Sequence, residues 1–170
     1  MLKRLVLITA LPIALGLAAC GKDGGSPETK GNMQGAWEGT WVDTREQAGK
    51  MEMKGRVTFN GNSYTYQWLR KLTDKEGKVA FDWTETGREE GKVSFTDGFM
   101  QWTATSFGEA MYNEAAKTWG TINMKSSSNG VNVYYTLSGN KLTLKEDVNL
   151  DGDFDDFFGV PETIEYTKAG

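Results

Sequence analysis

Carboxylates are the reactive groups this chain has in quantity, because its 170 residues include no histidine and a single cysteine, Cys20. That composition removes Ser-His-Asp and Cys-His catalysis, His-ligated zinc and thiolate metal sites. The chain also lacks a G-x-S-x-G elbow and a phosphate-cradling glycine loop. Two adjacent acid pairs, Glu89-Glu90 and Asp155-Asp156, sit in polar stretches that predict solvated turns rather than acid–base pairs. The densest acidic stretch runs from Glu146 to Asp156, and no Lys or Arg occurs between Lys145 and Lys168. Its D-x-N-x-D-G-x-x-D spacing places oxygen-bearing side chains on alternate residues, with Gly152 to ease a turn. Oxygen donors arranged in this way suit a hard cation such as calcium. Crowded carboxylates also repel one another unless a cation or solvent screens them. An ion is therefore expected ahead of a merely solvated acidic hairpin loop, and no enzyme activity is expected.

An EF-hand would need a bidentate Glu at the twelfth position of such a loop. Counting from Asp147, that position is Phe158, which excludes one. The spacing instead resembles the calcium loops between strands of integrin-type propeller repeats, over about a dozen residues. The resemblance implies that the side chains of Asp147, Asn149, Asp151 and Asp155, with the carbonyl of Asp153, hold a structural calcium ion that pins the final hairpin. Extracellular sites of this kind bind on the order of 10⁻⁴ to 10⁻³ M.

Cys20 calls for different chemistry. Lys3-Arg4 opens a basic n-region, Leu5 to Leu17 is apolar apart from Thr9, and small residues precede the cysteine. That layout predicts a secretory signal peptide over residues 1–19, since the apolar run is too short to span a bilayer. Leu17-Ala18-Ala19-Cys20 resembles the bacterial lipobox. The resemblance implies cleavage after Ala19, a diacylglyceryl thioether on Cys20 and N-acylation with a fatty acid such as palmitate. Several chains on one residue make a stable membrane anchor, where one alone is marginal. Gly21 stands where an Asp commonly retains such lipoproteins at the inner membrane, so the outer membrane of the cell envelope is expected. Loss of the leader takes Lys3 and Arg4 with it and moves the net charge from −4 to −6. An acidic, anchored chain is a poor match for nucleic acid. From Cys20 to Asn32 the chain is polar and glycine-rich, a flexible linker that cannot bury enough surface to offset its ordering entropy.

Residues 33–170 are expected to form one domain. From Met51 to Phe59 the chain alternates apolar and polar, which predicts a half-buried strand. Asn60-Gly61-Asn62 supplies a turn, and Tyr64, Tyr66, Trp68 and Leu72 return on one face. Val79, Phe81 and Trp83 are expected to share a face, followed by a polar turn over Gly87-Arg88-Glu89-Glu90-Gly91. Val93 and Phe95 lead to a turn at Asp97-Gly98, with Met100, Trp102 and Ala104 beyond it. Trp119 to Met124 predicts a weaker strand. Val131 to Leu137, a turn at Ser138-Gly139-Asn140, Leu142 with Leu144, and Ile164 with Tyr166 complete the set. Glu109 to Lys117 is the one stretch suited to a short helix. The fold class is all-β, an antiparallel up-and-down meander that closes into a barrel to cover its apolar face and remove its edges. A β-sandwich is the alternative.

Gly35-Ala36-Trp37 and Gly39-Thr40-Trp41 both match the G-x-W that opens lipocalin-type barrels. With the meander and the closing Leu137 to Leu144 hairpin, the chain resembles bacterial lipocalin-like lipoproteins over most of residues 35 to 168. In lipocalins an Arg of the last strand usually packs over that Trp, and this chain has no Arg after Arg88. The resemblance implies a barrel that binds a small apolar ligand, with Met53, Tyr66, Trp68, Phe81 and Trp102 as the expected cavity wall. A barrel filled by those side chains would instead suit an envelope protein-interaction or inhibitor module. Arg70 and Glu85 fall in the inward phase. They are either polar handles in a cavity or strand-end residues whose charges reach water, and the second is favoured because charges are rarely fully buried.

Overall fold

In the computed structural model, the structure describes residues 32–43, 46, 49–96, 98–113, 115–147, 153–154 and 161–170. The expected signal peptide, Cys20 and the expected linker before Asn32 lie outside them.

The strands are β1 Gly35–Asp43, β2 Gly49–Asn60, β3 Ser63–Asp74, β4 Val79–Thr96, β5 Phe99–Glu109, β6 Tyr112–Asn113, β7 Thr118–Trp119, β8 Lys125–Ser126, β9 Gly130–Ser138, β10 Lys141–Lys145 and β11 Thr163–Lys168. Eight of them close one antiparallel barrel in the order β1-β2-β3-β4-β5-β9-β10-β11 and back to β1. The sandwich alternative falls, because β4 pairs directly with β5 and β1 with β11. The barrel is compatible with a lipocalin-like fold. Along the second half of β5 the neighbour is β8, which carries on the line of β9 through the bonds Ala104 N to Asn129 O and Ser127 N to Thr105 O.

Alternation builds the wall. Met51, Met53, Gly55, Val57 and Phe59 of β2 are buried, whereas Glu52, Lys54, Arg56 and Thr58 between them are not. The core that results joins Met33, Trp37, Val57, Phe59, Tyr64, Val93, Phe95, Met100, Trp102, Val133, Leu142, Leu144 and Tyr166.

The two ends of the barrel differ in their connections. Tight turns join β2 to β3, β4 to β5 and β9 to β10, with Gly61, Gly98 and Gly139 in the left-handed region that these reversals require. The N-terminal segment lies across this end. Met33 is fully buried, the Trp37 indole donates to the Met33 carbonyl at 2.8 Å, and the Gly61 amide donates to Gln34 Oε1 at 2.7 Å. Lys168 Nζ of the last strand sits 5.2 Å over the Trp37 ring. Every longer connection is at the other end: β1 to β2, β3 to β4, β5 to β9, and β10 to β11 with the acidic stretch.

Five expectations need correction. The stretch Gly87 to Gly91 is no turn, since β4 runs unbroken from Val79 to Thr96. Phe81 and Trp83 do not share a face. The β3–β4 register passes from Arg70 opposite Thr84 to Leu72 opposite Phe81, so one residue of β3 faces two of β4. That bulge turns Phe81 toward Tyr112 and Trp119, and leaves Trp83 outside beneath the Lys54 ammonium. Glu85 is likewise on the outer face, paired with Arg88 at 2.7 Å. The segment after β5 forms the β6–β7 hairpin, with Tyr112 opposite Trp119 and Lys117 at a φ of 54°, in place of a helix. The weak strand shortens to Thr118–Trp119, and Lys125–Ser126 follows separately.

Candidate functional site

Side chains facing the lumen fall into three layers. At the turn end, Trp37, Phe59, Met33, Met100 and Leu142 have essentially no exposure. Phe59 meets Phe95 and Trp102 edge-on at 6.0 and 6.1 Å, so this layer is solid.

The middle layer is polar, and it was invisible to the sequence reading. Glu89 stands opposite Tyr66 on β3 and Phe107 on β5, and therefore faces inward with them. The Tyr64 hydroxyl donates to Glu89 Oε1. The hydroxyls of Tyr66 and Tyr166 share a hydrogen bond of 2.8 Å. That pair needs Gly55 beneath it, because a Cβ there would stand 2.7 Å from the Tyr66 hydroxyl and 3.0 Å from that of Tyr166. Beyond β10 and ahead of β11, Glu146 and Glu162 extend the inward phase of Leu144 and Ile164, and the Glu146 amide donates to the Glu162 carbonyl at 2.9 Å. Burial pushes the Glu146 carboxyl up to about 7, helped by the nearby Glu89 and Glu162 carboxylates. Burial also raises Glu89, against the pull of the Tyr64 hydrogen bond. Tyr66 and Tyr166 are raised above the ordinary tyrosine value, chiefly by burial, and so stay protonated donors at any physiological pH.

The third layer lies toward the long connections and is aromatic. Trp68 packs on Tyr66 at 4.7 Å and on Phe107 at 5.8 Å. It lies over Gly87, where an added Cβ would come within 2.8 Å of the indole. Phe81 meets Tyr112 at 5.7 Å and Trp119 at 5.6 Å, which brings the β6–β7 hairpin over this end. Arg70 holds its guanidinium 5.3 Å from the Trp119 ring. Trp68, Arg70, Leu72, Phe81 and Trp119 are only half-buried, and Phe107 is 37% exposed.

The expected cavity wall is thus distributed over the layers. Met53 and Trp102 are buried, with Trp102 stacked on Tyr64 at 4.5 Å. Tyr66 belongs to the polar layer, in contact with both Trp68 and Trp102. Trp68 and Phe81 stand at the open end. Arg70 faces inward near the rim, with Met53 on one side and Thr84 on the other.

Of the expected calcium donors, Asn149, Asp151 and Asp155 lie outside the described residues. Asp147 and Asp153 are described, in the β10–β11 connection at the open end. Among the described residues no three acidic side chains gather as metal ligands. Also among the described residues, no helix is long and apolar enough to cross a membrane.

Along the lumen, the aromatic side chains of the third layer stand over a middle layer of carboxyl and hydroxyl groups. Compared with known proteins, the chain matches no family model, no curated protein and no solved structure.

Proposed function

We propose that this protein is a cell-envelope lipoprotein whose lipocalin-like barrel binds a small apolar ligand at its open end, without catalysis. The observation that carries the reading is the partial exposure of lumen-facing aromatic side chains, Trp68, Phe81 and Phe107, at one end of a barrel whose other end is packed around Met33 and Trp37. Rings left partly in water inside a concave wall lose area to solvent when a ligand arrives, at about 25 cal/mol per Å². The lipocalin-like assignment is supported by Trp37 of the first G-x-W, which is fully buried and covered by a cation from the last strand. Here Lys168 takes the place that an Arg usually fills. Lipid on Cys20 would hold the barrel at the outer membrane, and calcium in the Asp147 to Asp155 loop would stiffen the open end.

Mass spectrometry of the protein extracted from its native membrane tests the reading. A co-purifying apolar small molecule, lost in a Trp68→Ala variant, is the expected result; a barrel that repeatedly emerges empty contradicts it. A second reading, a filled barrel serving as a protein-interaction or inhibitor module, is favoured by one feature. The rings of Tyr66 and Trp68 lie close over the inward glycines Gly55 and Gly87 and pack against each other at 4.7 Å. Recovery of a stoichiometric envelope protein in place of a small molecule would support that reading.

A further inference from the structure

We infer that the turn end of the barrel is a docking surface for an anionic lipid bilayer, so that the open end points away from the membrane. The inference rests on the reading of Cys20 as a lipid anchor and adds to it which face of the barrel meets the lipid. Residues 21–32 separate Cys20 from Met33. The end of that stretch is clamped at the turn end. Lys168 Nζ donates to the Asn32 carbonyl at 3.2 Å, Met33 is fully buried, and the Gly61 amide donates to Gln34 Oε1 at 2.7 Å. Twelve residues span about 40 Å at full stretch, and a glycine-rich chain of that length averages about 20 Å end to end. The barrel is taller than that average. The 12 residues of β2 run about 40 Å along the strand, or about 30 Å along the axis of a tilted barrel. To set the open end on the bilayer, the chain from Cys20 would have to run almost straight along the whole wall.

Charge separates the two ends in the same sense. Lys92, Lys141 and Lys168 are exposed beside the tight turns, and among the described residues none of them makes an ion pair. Lys92 Nζ donates to Ser63 Oγ at 3.1 Å, next to the β2–β3 turn. The Lys168 amide donates to the Asn140 carbonyl at 3.0 Å, which sets Lys168 beside the β9–β10 turn. Lys141 and Lys168 line one groove of about 620 Å³ on the outer wall. Two acids share that groove, Glu165 and Glu38, and Glu38 is already paired with Arg56. In sequence the three turns carry a single charge, Asp97. The connections at the open end are acidic by contrast. There Asp43, Asp74, Glu76, Glu109 and the stretch from Glu146 to Asp156 outnumber the basic residues. A negative lipid surface therefore attracts the turn end and repels the other, within a Debye length of about 8 Å at physiological salt.

The test uses the full mature chain, lipidated on Cys20, in vesicles of phosphatidylethanolamine with phosphatidylglycerol and in vesicles of phosphatidylcholine alone. Cys20 is the only cysteine, and its sulfur carries the lipid. Asn140→Cys in the β9–β10 turn and Val79→Cys at the start of β4 therefore each offer one site for a fluorescent donor, with a rhodamine lipid as acceptor. On the anionic vesicles the Asn140→Cys donor should transfer strongly, and the Val79→Cys donor, about 30 Å higher, should lose most of that transfer. Phosphatidylcholine, or Lys92→Glu with Lys141→Glu, should narrow the gap, because the barrel then tumbles on its anchor. Equal transfer from both donors, stronger transfer from Val79→Cys, or a gap that ignores lipid charge overturns the inference and leaves the anchor standing. A chain that washes off the vesicles in high salt fails the anchor reading and takes the inference with it. The comparison of the two lipid compositions decides the matter even where the double lysine change fails to fold.

Discussion

The two ends of this barrel are made from the same strands, yet one is solid and the other accessible. At the turn end, three tight reversals and the N-terminal segment draw Met33 and Trp37 into the lumen, where both are fully buried. At the far end the strands feed long connections, and the inward residues of β3 stay half-buried from Tyr66 to Leu72. Alternation alone makes a wall. Whether the wall encloses a core or a site depends on what crosses its mouth. Between the ends, Glu89 and its tyrosines show what a polar layer gives up: burial of carboxylates that water would solvate better.

The largest effect should come from the sealed end. Trp37→Ala removes a fully buried indole and the hydrogen bond to Met33, and should cost about 3–5 kcal/mol in urea unfolding. Trp68→Ala, an equal deletion at the open end, should cost less than half as much. Equal losses would erase the distinction between the ends.

The polar layer should make stability depend on pH in an unusual direction. Glu146 is raised in the fold to about 7 and returns to 4.5 on unfolding. Between those values the folded barrel holds a proton that the unfolded chain releases. Stability is therefore full below about 4.5, falls as pH rises, and has lost this contribution above about 7, on the order of 1–3 kcal/mol. Urea melts in chelator across that window should show the decline, and Glu146→Gln should flatten it. A rise of stability through the same window would place Glu146 in water.

Calcium is expected to give the smallest effect. At 1 mM, an ion bound on the order of 10⁻⁴ to 10⁻³ M adds roughly 0.4–1.4 kcal/mol. Differential scanning calorimetry should show a rise of roughly 1–5 °C in Tm. The rise should vanish in Asp147→Ala with Asp151→Ala. A rise that survives the double change would place the ion elsewhere.

How much of this could be read from the chain follows from where each signal originates. The alternation in β2 and the turns at Gly61 and Gly139 are local, and the sequence displays them in full. Many such strands call for closure or sandwiching to cover one apolar face, and the pairings of β4 with β5 and β1 with β11 decide for the barrel. Gly87 to Gly91 misled because glycines and charges together look like a turn. The reason they form a strand lies far away in the chain: Gly87 accommodates Trp68, and Glu89 meets Tyr64. One local clue was present, since Gly87, Glu89 and Gly91 keep the inward phase of Val93 and Phe95. Glu109 to Lys117 looked helical by its Ala and Glu content. Contacts of Tyr112 and Trp119 with Phe81 override that propensity. The bulge opposite Lys71 leaves no signature in composition, so the opposite orientations of Phe81 and Trp83 could not be foreseen.

The most direct test of the central claim, that the open end is an apolar binding site, is a fluorescence titration of the soluble barrel from Gly31 onward with the neutral probe N-phenyl-1-naphthylamine. Saturable binding with one probe per barrel is predicted, weakened about fivefold or more by Trp68→Ala through the apolar contact area it removes. Tyr134→Ala, on the outer wall and 48% exposed, should leave the affinity unchanged. Absence of saturable binding, or equal weakening by Trp68→Ala and Tyr134→Ala, would contradict the account.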